Sequence, residues 1–116
     1  MESMHEMSLA EGVIRIVEEA FARSDYRRVT AVRLEIGALS AVEPEALSFC
    51  FEAVARGTVA DGARLEIEKV PGAGWCLQCS RTVPIVARYD ACPHCGQYRV
   101  QPTAGAEMRV KDIEVA

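Results

Sequence analysis

Five cysteines stand in this 116-residue chain, and four of them fall into two pairs. Cys76-Leu77-Gln78-Cys79 is followed, after twelve residues, by Cys92-Pro93-His94-Cys95. Two C-x-x-C pairs so placed read as a closed tetrathiolate zinc site, each pair gripping one ion from a tight turn. Pro93 and Gly96 supply turn chemistry beside the second pair. Two disulfides are the alternative, since few apolar residues lie between Gly72 and Thr103 and some crosslink is needed there. The chain shows no secretory leader, and a reducing compartment favours thiolate and metal. Four sulfur ligands leave no open position for water or substrate, so the zinc is expected to be structural. Sites of this kind typically contribute about 10–16 kcal/mol, much of it spent on folding the segment.

A second metal-binding pattern lies near the start, at Met4-His5-Glu6. A histidine close to a free amine offers imidazole, deprotonated amide and amine nitrogens together. That in-plane nitrogen set suits Ni(II) or Cu(II), which favour square-planar or tetragonal geometry. Zinc gains nothing from it. Taken alone, one histidine beside one glutamate also describes an ordinary solvated chain end. The remaining candidates have plain readings. Cys50 sits in an apolar helical stretch and packs as a small hydrophobe. His94 reads as a solvent-facing turn residue, with a ligand that swaps in as pH changes as the alternative, and Arg81, Arg88 and Arg99 read as a solvated basic rim on the zinc segment, with a docking patch as the alternative.

Ser8 to Glu11 has the form of a capping box and predicts a helix starting at Ser8. Its stripe would be Leu9, Val13, Ile16, Val17, Ala20 and Phe21, with the end near 23–25. Val29 to Ile36 alternates as a strand with Val32, Leu34 and Ile36 inward. Pro44 opens a second helix with Glu43 as N-cap, Leu47, Cys50, Phe51 and Val54 as its stripe, and Gly57 as C-terminal cap. A second strand runs from about Ala63 to Val70. Pro71-Gly72-Ala73-Gly74 reads as a hinge-like linker, Trp75 as a cover for the cysteine cluster, and Val83, Ile85 and Val86 as a short hairpin arm. Met108 to Val115 predicts a last strand, irregular near Asp112, that returns to the first sheet. The expected fold class is therefore α+β: a small sheet of about three strands with two helices, plus an inserted zinc-ribbon-like module. Residues 1–71 and 104–116 form one domain, and 72–103 the zinc-binding module.

The formal charge is −4. Four ionised thiols add −4 and one Zn2+ adds +2, which takes it to −6. An acidic chain with no aromatic stacking surface argues against a zinc-ribbon nucleic-acid module, which neutralises phosphates with Lys and Arg. A dithiol redox enzyme is disfavoured by two C-x-x-C pairs without a thioredoxin-like context. No apolar run approaches the ~20 residues of a membrane span.

Read together, Met4-His5-Glu6-Met7-Ser8-Leu9, Leu34-Glu35-Ile36-Gly37-Ala38-Leu39-Ser40, Glu43-Pro44-Glu45, Phe49-Cys50-Phe51-Glu52-Ala53, the cysteine pairs and Glu107-Met108-Arg109-Val110 resemble the hydrogenase nickel-incorporation metallochaperones of the HypA/HybF type. The resemblance runs from Met4 essentially to the end. It implies a protein that binds Ni(II) and delivers it during maturation of [NiFe]-hydrogenase, with urease as a second target of some members. It implies no enzymatic activity, a cytoplasmic location, and two partners: a nickel-binding GTPase and the hydrogenase large-subunit precursor. Nucleic acid and membrane spans have no part in it, and a monomer and a homodimer are both compatible. Nickel is the transferred cargo, held at positions that correspond to His5, Glu6 and Glu43. Zinc is structural, held at Cys76, Cys79, Cys92 and Cys95. Without the resemblance Glu43 reads simply as a helix N-cap carboxylate favoured by the dipole. The family begins at the methionine of its Met-His-Glu start, whereas Met1-Glu2-Ser3 precede it here, so Met4 is expected to be the functional start.

Overall fold

The computed structural model describes residues 2–116, with side chains from His5 onward. Met1 and the side chains of Glu2, Ser3 and Met4 lie outside the described residues, and so does the expectation that Met4 is the functional start. In chain order the elements are α1 (Glu2–Phe21), β1 (Val29–Gly37), α2 (Pro44–Ala55), β2 (Arg64–Val70), β3 (Ala73–Cys76), β4 (Arg81–Pro84), β5 (Val100–Ala104) and β6 (Met108–Val115). They form two three-stranded sheets, ordered β2-β1-β6 and β4-β3-β5. This is the expected α+β architecture. The chain divides into two compact units, one of Met1–Leu34, Val42–Ile67 and Val110–Ala116, the other of Glu35–Ala41 and Glu68–Arg109.

The first unit holds both helices. α1 begins six residues before the predicted capping box, so Ser8 is an interior helical residue. Nothing in Glu2 to Met7 opposes helix, since Glu and Met are good formers and no Gly or Pro interrupts. Its buried stripe is also rotated from the one expected. Glu6, Ala10, Val13, Ile14 and Val17 are buried, while Ile16 is 51% exposed and Ala20 lies outside. The helix stops at Phe21, where Ser24 Oγ donates to the Phe21 carbonyl. α2 follows its prediction closely. Glu43 is extended and accepts the Glu45 amide through its side chain, and Pro44 occupies the first turn. Leu47, Cys50, Phe51 and Ala55 are buried. Gly57, at φ +78°, takes the left-handed conformation just past the end.

β1 buries Val32 and Leu34 while Arg33 between them stays partly exposed. The Arg33 guanidinium reaches Glu66 on β2 at 3.1 Å and both Asp112 (2.8 Å) and Glu114 on β6. Arg64 reaches Glu66 and Glu114 as well. One side chain on the central strand thus ties both neighbours through charge-assisted bonds, chosen on the wet face of the pleat. Along β6 the alternation slips at Lys111 and Asp112, both exposed, which is where the sequence predicts an irregularity.

The second unit is built on the β3–β4 hairpin, in which Trp75 opposes Thr82 and Cys76 opposes Arg81, with β5 on the other side of β3. Its core is small: Leu39, Cys76, Val83, Ile85 and Cys92. Two sequence expectations change here. Gly72 and Gly74 are buried and closely overlaid, so they are packing positions and not a free hinge. A Cβ on Gly72 would lie 2.5 Å from the Ile85 carbonyl oxygen, and one on Gly74 would lie 2.4 Å from a Val100 methyl. Trp75 does not cover the cysteines. Successive strand residues face opposite sides, so with Cys76 fully buried the indole is turned outward and 40% exposed.

Candidate metal centre

Each cysteine pair is shaped by its own turn. The Ser80 amide donates to the Cys76 carbonyl at 2.8 Å, and the Gly96 amide to the Cys92 carbonyl at 2.9 Å. Both closing residues adopt positive φ, 52° at Ser80 and 75° at Gly96. The amides inside each turn then point at sulfur: Cys79 N–H toward Cys76 Sγ (3.3 Å) and His94 N–H toward Cys92 Sγ (3.4 Å). β3 delivers Cys76, and the Leu77 amide is held by the Arg99 carbonyl beside β5. The second turn is drawn in by the Cys92 amide on the Gln97 carbonyl.

All four Sγ atoms lie within 4.8 Å of one another. Cys76 and Cys95 are 3.7 Å apart, and Cys79 and Cys92 are 3.9 Å apart. A tetrahedral zinc ion with ~2.3 Å bonds sets its sulfurs about 3.8 Å apart. A disulfide needs ~2.05 Å. All five cysteines are free thiols. The donor set fits zinc and does not fit the disulfide alternative.

The electrostatics agree. Cys92 is lowered to about 6, chiefly by the Cys95 backbone amide and also by that of His94, against the opposing effect of burial. Cys79 is pushed up to about 12, first by its hydrogen bond with the Cys95 thiol and then by burial and the other two sulfurs. Among the four crowded sulfurs Cys92 gives up its proton readily and Cys79 resists. A divalent cation among them removes that resistance, and its affinity must fall as protons compete at low pH. A zinc ion there would be held by Cys76, Cys79, Cys92 and Cys95, and would supply crosslinking and no reaction chemistry. His94 and the arginines Arg81, Arg88 and Arg99 are exposed.

The nickel candidates lie in the first unit. His5 is exposed on the first turns of α1. Glu6, its neighbour, is only 1% exposed. One Glu6 oxygen accepts the Glu43 amide at 3.0 Å, and the other is buried with no hydrogen-bond partner among the described residues. Glu43 itself is exposed at the start of α2. The structure therefore brings Glu6 to the Glu43 backbone. It does not gather His5, Glu6 and Glu43 into one set of converging ligand atoms, and the four cysteines are the one such group among the described residues. The burial of Glu6 escapes a sequence reading based on Leu9. The signal was present: Glu6, Ala10, Val13, Ile14 and Val17 share one helical stripe, and a carboxylate in phase with that stripe must go inside.

A fold of two helices and two small sheets, with four thiols converging from two knuckles, defines a small zinc-knuckle protein. Residues 4–115 match the profile of the family described as hydrogenase/urease nickel incorporation, metallochaperone, hypA. The chain belongs to this HypA family. The hydrogenase maturation factor HypA of Dechloromonas aromatica is 62% identical over 112 residues, covering 97% of this chain and 99% of its own length. That of Azotobacter chroococcum is 60% identical with the same coverage. The solution structure of the Ni metallochaperone HypA from Helicobacter pylori superposes with a TM-score of 0.68 at 27% identity, covering 95% of this chain and 96% of that one.

Proposed function

We propose that this protein is a nickel metallochaperone for hydrogenase maturation in which two donor sets do different work. Family membership over nearly the whole chain carries the assignment. It is not an enzyme: its task is capture and release of an ion. The four-thiol centre fits structural zinc, and a closed tetrathiolate exchanges metal too slowly to serve as the delivery site. Cargo nickel is assigned to the His5 imidazole, the backbone at Glu6, and Glu43. The exposure of His5 and Glu43 supports this, because a partner must reach the ligands to take the ion by exchange.

The same reading assigns residues 1–71 and 104–116 to nickel handling and 72–103 to the zinc module. It names a nickel-binding GTPase and the hydrogenase large-subunit precursor as partners, with urease maturation a further use in keeping with the family description. No helix among the described residues is long and apolar enough to cross a membrane, and the cytoplasm, where thiols stay reduced, is the proposed location. The nucleic-acid alternative is not favoured. The test is calorimetric nickel titration of the wild type and of His5→Ala, with zinc quantified in parallel. One nickel site is expected in the wild type and none in the variant, at unchanged zinc content. Undiminished nickel binding by His5→Ala would overturn the assignment.

A further inference from the structure

We infer that the Glu6 side chain is a positioning residue for nickel capture: it ties the His5-bearing turn of α1 to the start of α2, so that Glu43 is held in place for the ion. This rests on the nickel assignment above and adds to it a separate role for the Glu6 carboxylate.

Two observations carry it. Among the described residues Glu6 is the one charged side chain that is fully buried, at 1% exposure and in helical phase with the buried Ala10, Val13 and Ile14. Its Oε2 accepts the Glu43 amide at 3.0 Å, across 37 positions of sequence. That amide belongs to the N-cap residue of α2, whose own carboxylate is occupied by the Glu45 amide. The Glu43 residue is therefore gripped on both sides, its backbone by Glu6 and its side chain by the first turn of α2. The grip fixes its φ of −89° and ψ of 111°. A carboxylate accepting from an amide at a helix start gains from the helix dipole as well as from the hydrogen bond.

The second observation concerns cost. Glu6 Oε1 is buried and has no partner among the described residues. Burying a polar atom unpaired is unfavourable, and a serine or asparagine would satisfy a lone amide without it. What a glutamate adds is reach: from inside the α1 stripe it crosses to α2 and holds the loop from below. His5, one residue away, remains exposed. The imidazole and the Glu43 carboxylate are thus carried by two elements clamped together beneath the surface, and both stay open to solvent. Less conformational freedom is then lost when an ion is bound between them.

Two pairs of variants test this by nickel titration of the zinc-loaded protein, with the nickel absorption spectrum recorded. Glu6→Gln keeps an oxygen acceptor and is expected to bind nickel within about threefold of the wild type with an unshifted spectrum. Glu6→Ala removes the acceptor and should weaken binding by roughly tenfold or more, the scale of one charge-assisted hydrogen bond. The second pair leaves Glu6 and the core untouched. Glu43→Ala retains the backbone N–H, whereas Glu43→Pro removes it at a residue that lies just before the helix and donates no bond within it. Glu43→Pro should bind nickel roughly tenfold more weakly than Glu43→Ala. Should Glu6→Ala not fold, this second pair decides alone. Equal affinity of Glu43→Pro and Glu43→Ala, or of Glu6→Ala and wild type, overturns the proposal. A Glu6→Gln variant as impaired as Glu6→Ala, with a shifted spectrum, shows instead that the carboxylate ligates the ion. Nickel binding that survives His5→Ala removes the underlying assignment and not merely this inference.

Discussion

Withdrawing zinc is predicted to unfold the β4-β3-β5 sheet while the helices stay formed. The core cluster of the second unit has only three aliphatic side chains, Leu39, Val83 and Ile85, and its other two buried members are the ligand candidates Cys76 and Cys92. Full burial of an aliphatic side chain stabilises by about 1.5–3 kcal/mol. A structural zinc site contributes about 10–16 kcal/mol. Losing the metal therefore removes more than the three aliphatic residues supply together, and it leaves four crowded sulfurs with no counter-charge. The first unit keeps a core of its own, with Val13, Val17, Val32, Leu34, Leu47 and Phe51 all buried. The assay is amide hydrogen exchange at pH 7 under reducing conditions, before and after a strong chelator, and again for Cys76→Ser. The amides to follow are Leu77 on the Arg99 carbonyl, Cys92 on Gln97 and Gly96 on Cys92. All three should lose protection in both experiments, while far-ultraviolet dichroism retains the helical signal of α1 and α2. Retained protection in the reduced, zinc-free protein would show that the sheet stands without the metal, and the reasoning from core size would be wrong.

Other consequences are open to measurement. A Cβ on Gly37 would sit 2.0 Å from the Gly105 carbonyl oxygen, and Gly105 is itself fixed at φ +80°. Gly37→Ala should therefore destabilise by about 2 kcal/mol or more, read as a lower denaturation midpoint, and an unchanged midpoint would contradict the close approach. Arg33, through its hydrogen bond and then its charge, holds the Glu114 carboxyl below the ordinary carboxylate range. A carboxylate with a depressed folded-state pKa stabilises the fold above its unfolded value, about 4.3, and that contribution is lost as pH falls through the folded value. Wild type should thus be more stable than Arg33→Met at pH 7, with the gap narrowing as the pH is lowered below that unfolded value; a gap that does not narrow on acidification would assign the effect to packing. Glu6 is the fifth residue of α1, and each N–H past the fourth position bonds the carbonyl one turn back. Nickel ligation through the Glu6 amide must open that turn, so dichroism at 222 nm should fall by roughly one turn of helix on nickel addition; an unchanged signal with nickel bound would exclude ligation by that amide.

The cysteine cluster was legible because its information is local: two C-x-x-C pairs fix type and spacing, and the fold need only bring the knuckles together. The same holds for α2, where Glu43, Pro44 and Gly57 encode both ends in backbone chemistry, and for β1, where period-two alternation around Arg33 declares a wet and a dry face. α1 was legible as a helix but not in its phase. Ser8 and Glu11 satisfy the capping-box pattern, yet a start signal has no force when the preceding residues are also good helix formers. Which stripe turns inward depends on the partner, and α2 draws in Glu6 and Ala10 where Leu9 and Ile16 looked the better candidates. The glycines near Gly72 were misread for a related reason. Flexibility is their intrinsic property, but here the absent Cβ serves close contact with Ile85 and Val100, which only the assembled sheet reveals. Trp75 was assigned to the cluster by proximity in sequence, and strand alternation sends it to the opposite side.

The most direct measurement of the division between the two metals is X-ray absorption at the nickel and zinc edges of one sample carrying both ions. Four sulfur neighbours around zinc and only nitrogen and oxygen neighbours around nickel are expected, with the nickel signal lost in His5→Ala and the zinc signal unmoved. Sulfur in the nickel shell, or a zinc shell without four sulfurs, would contradict the account.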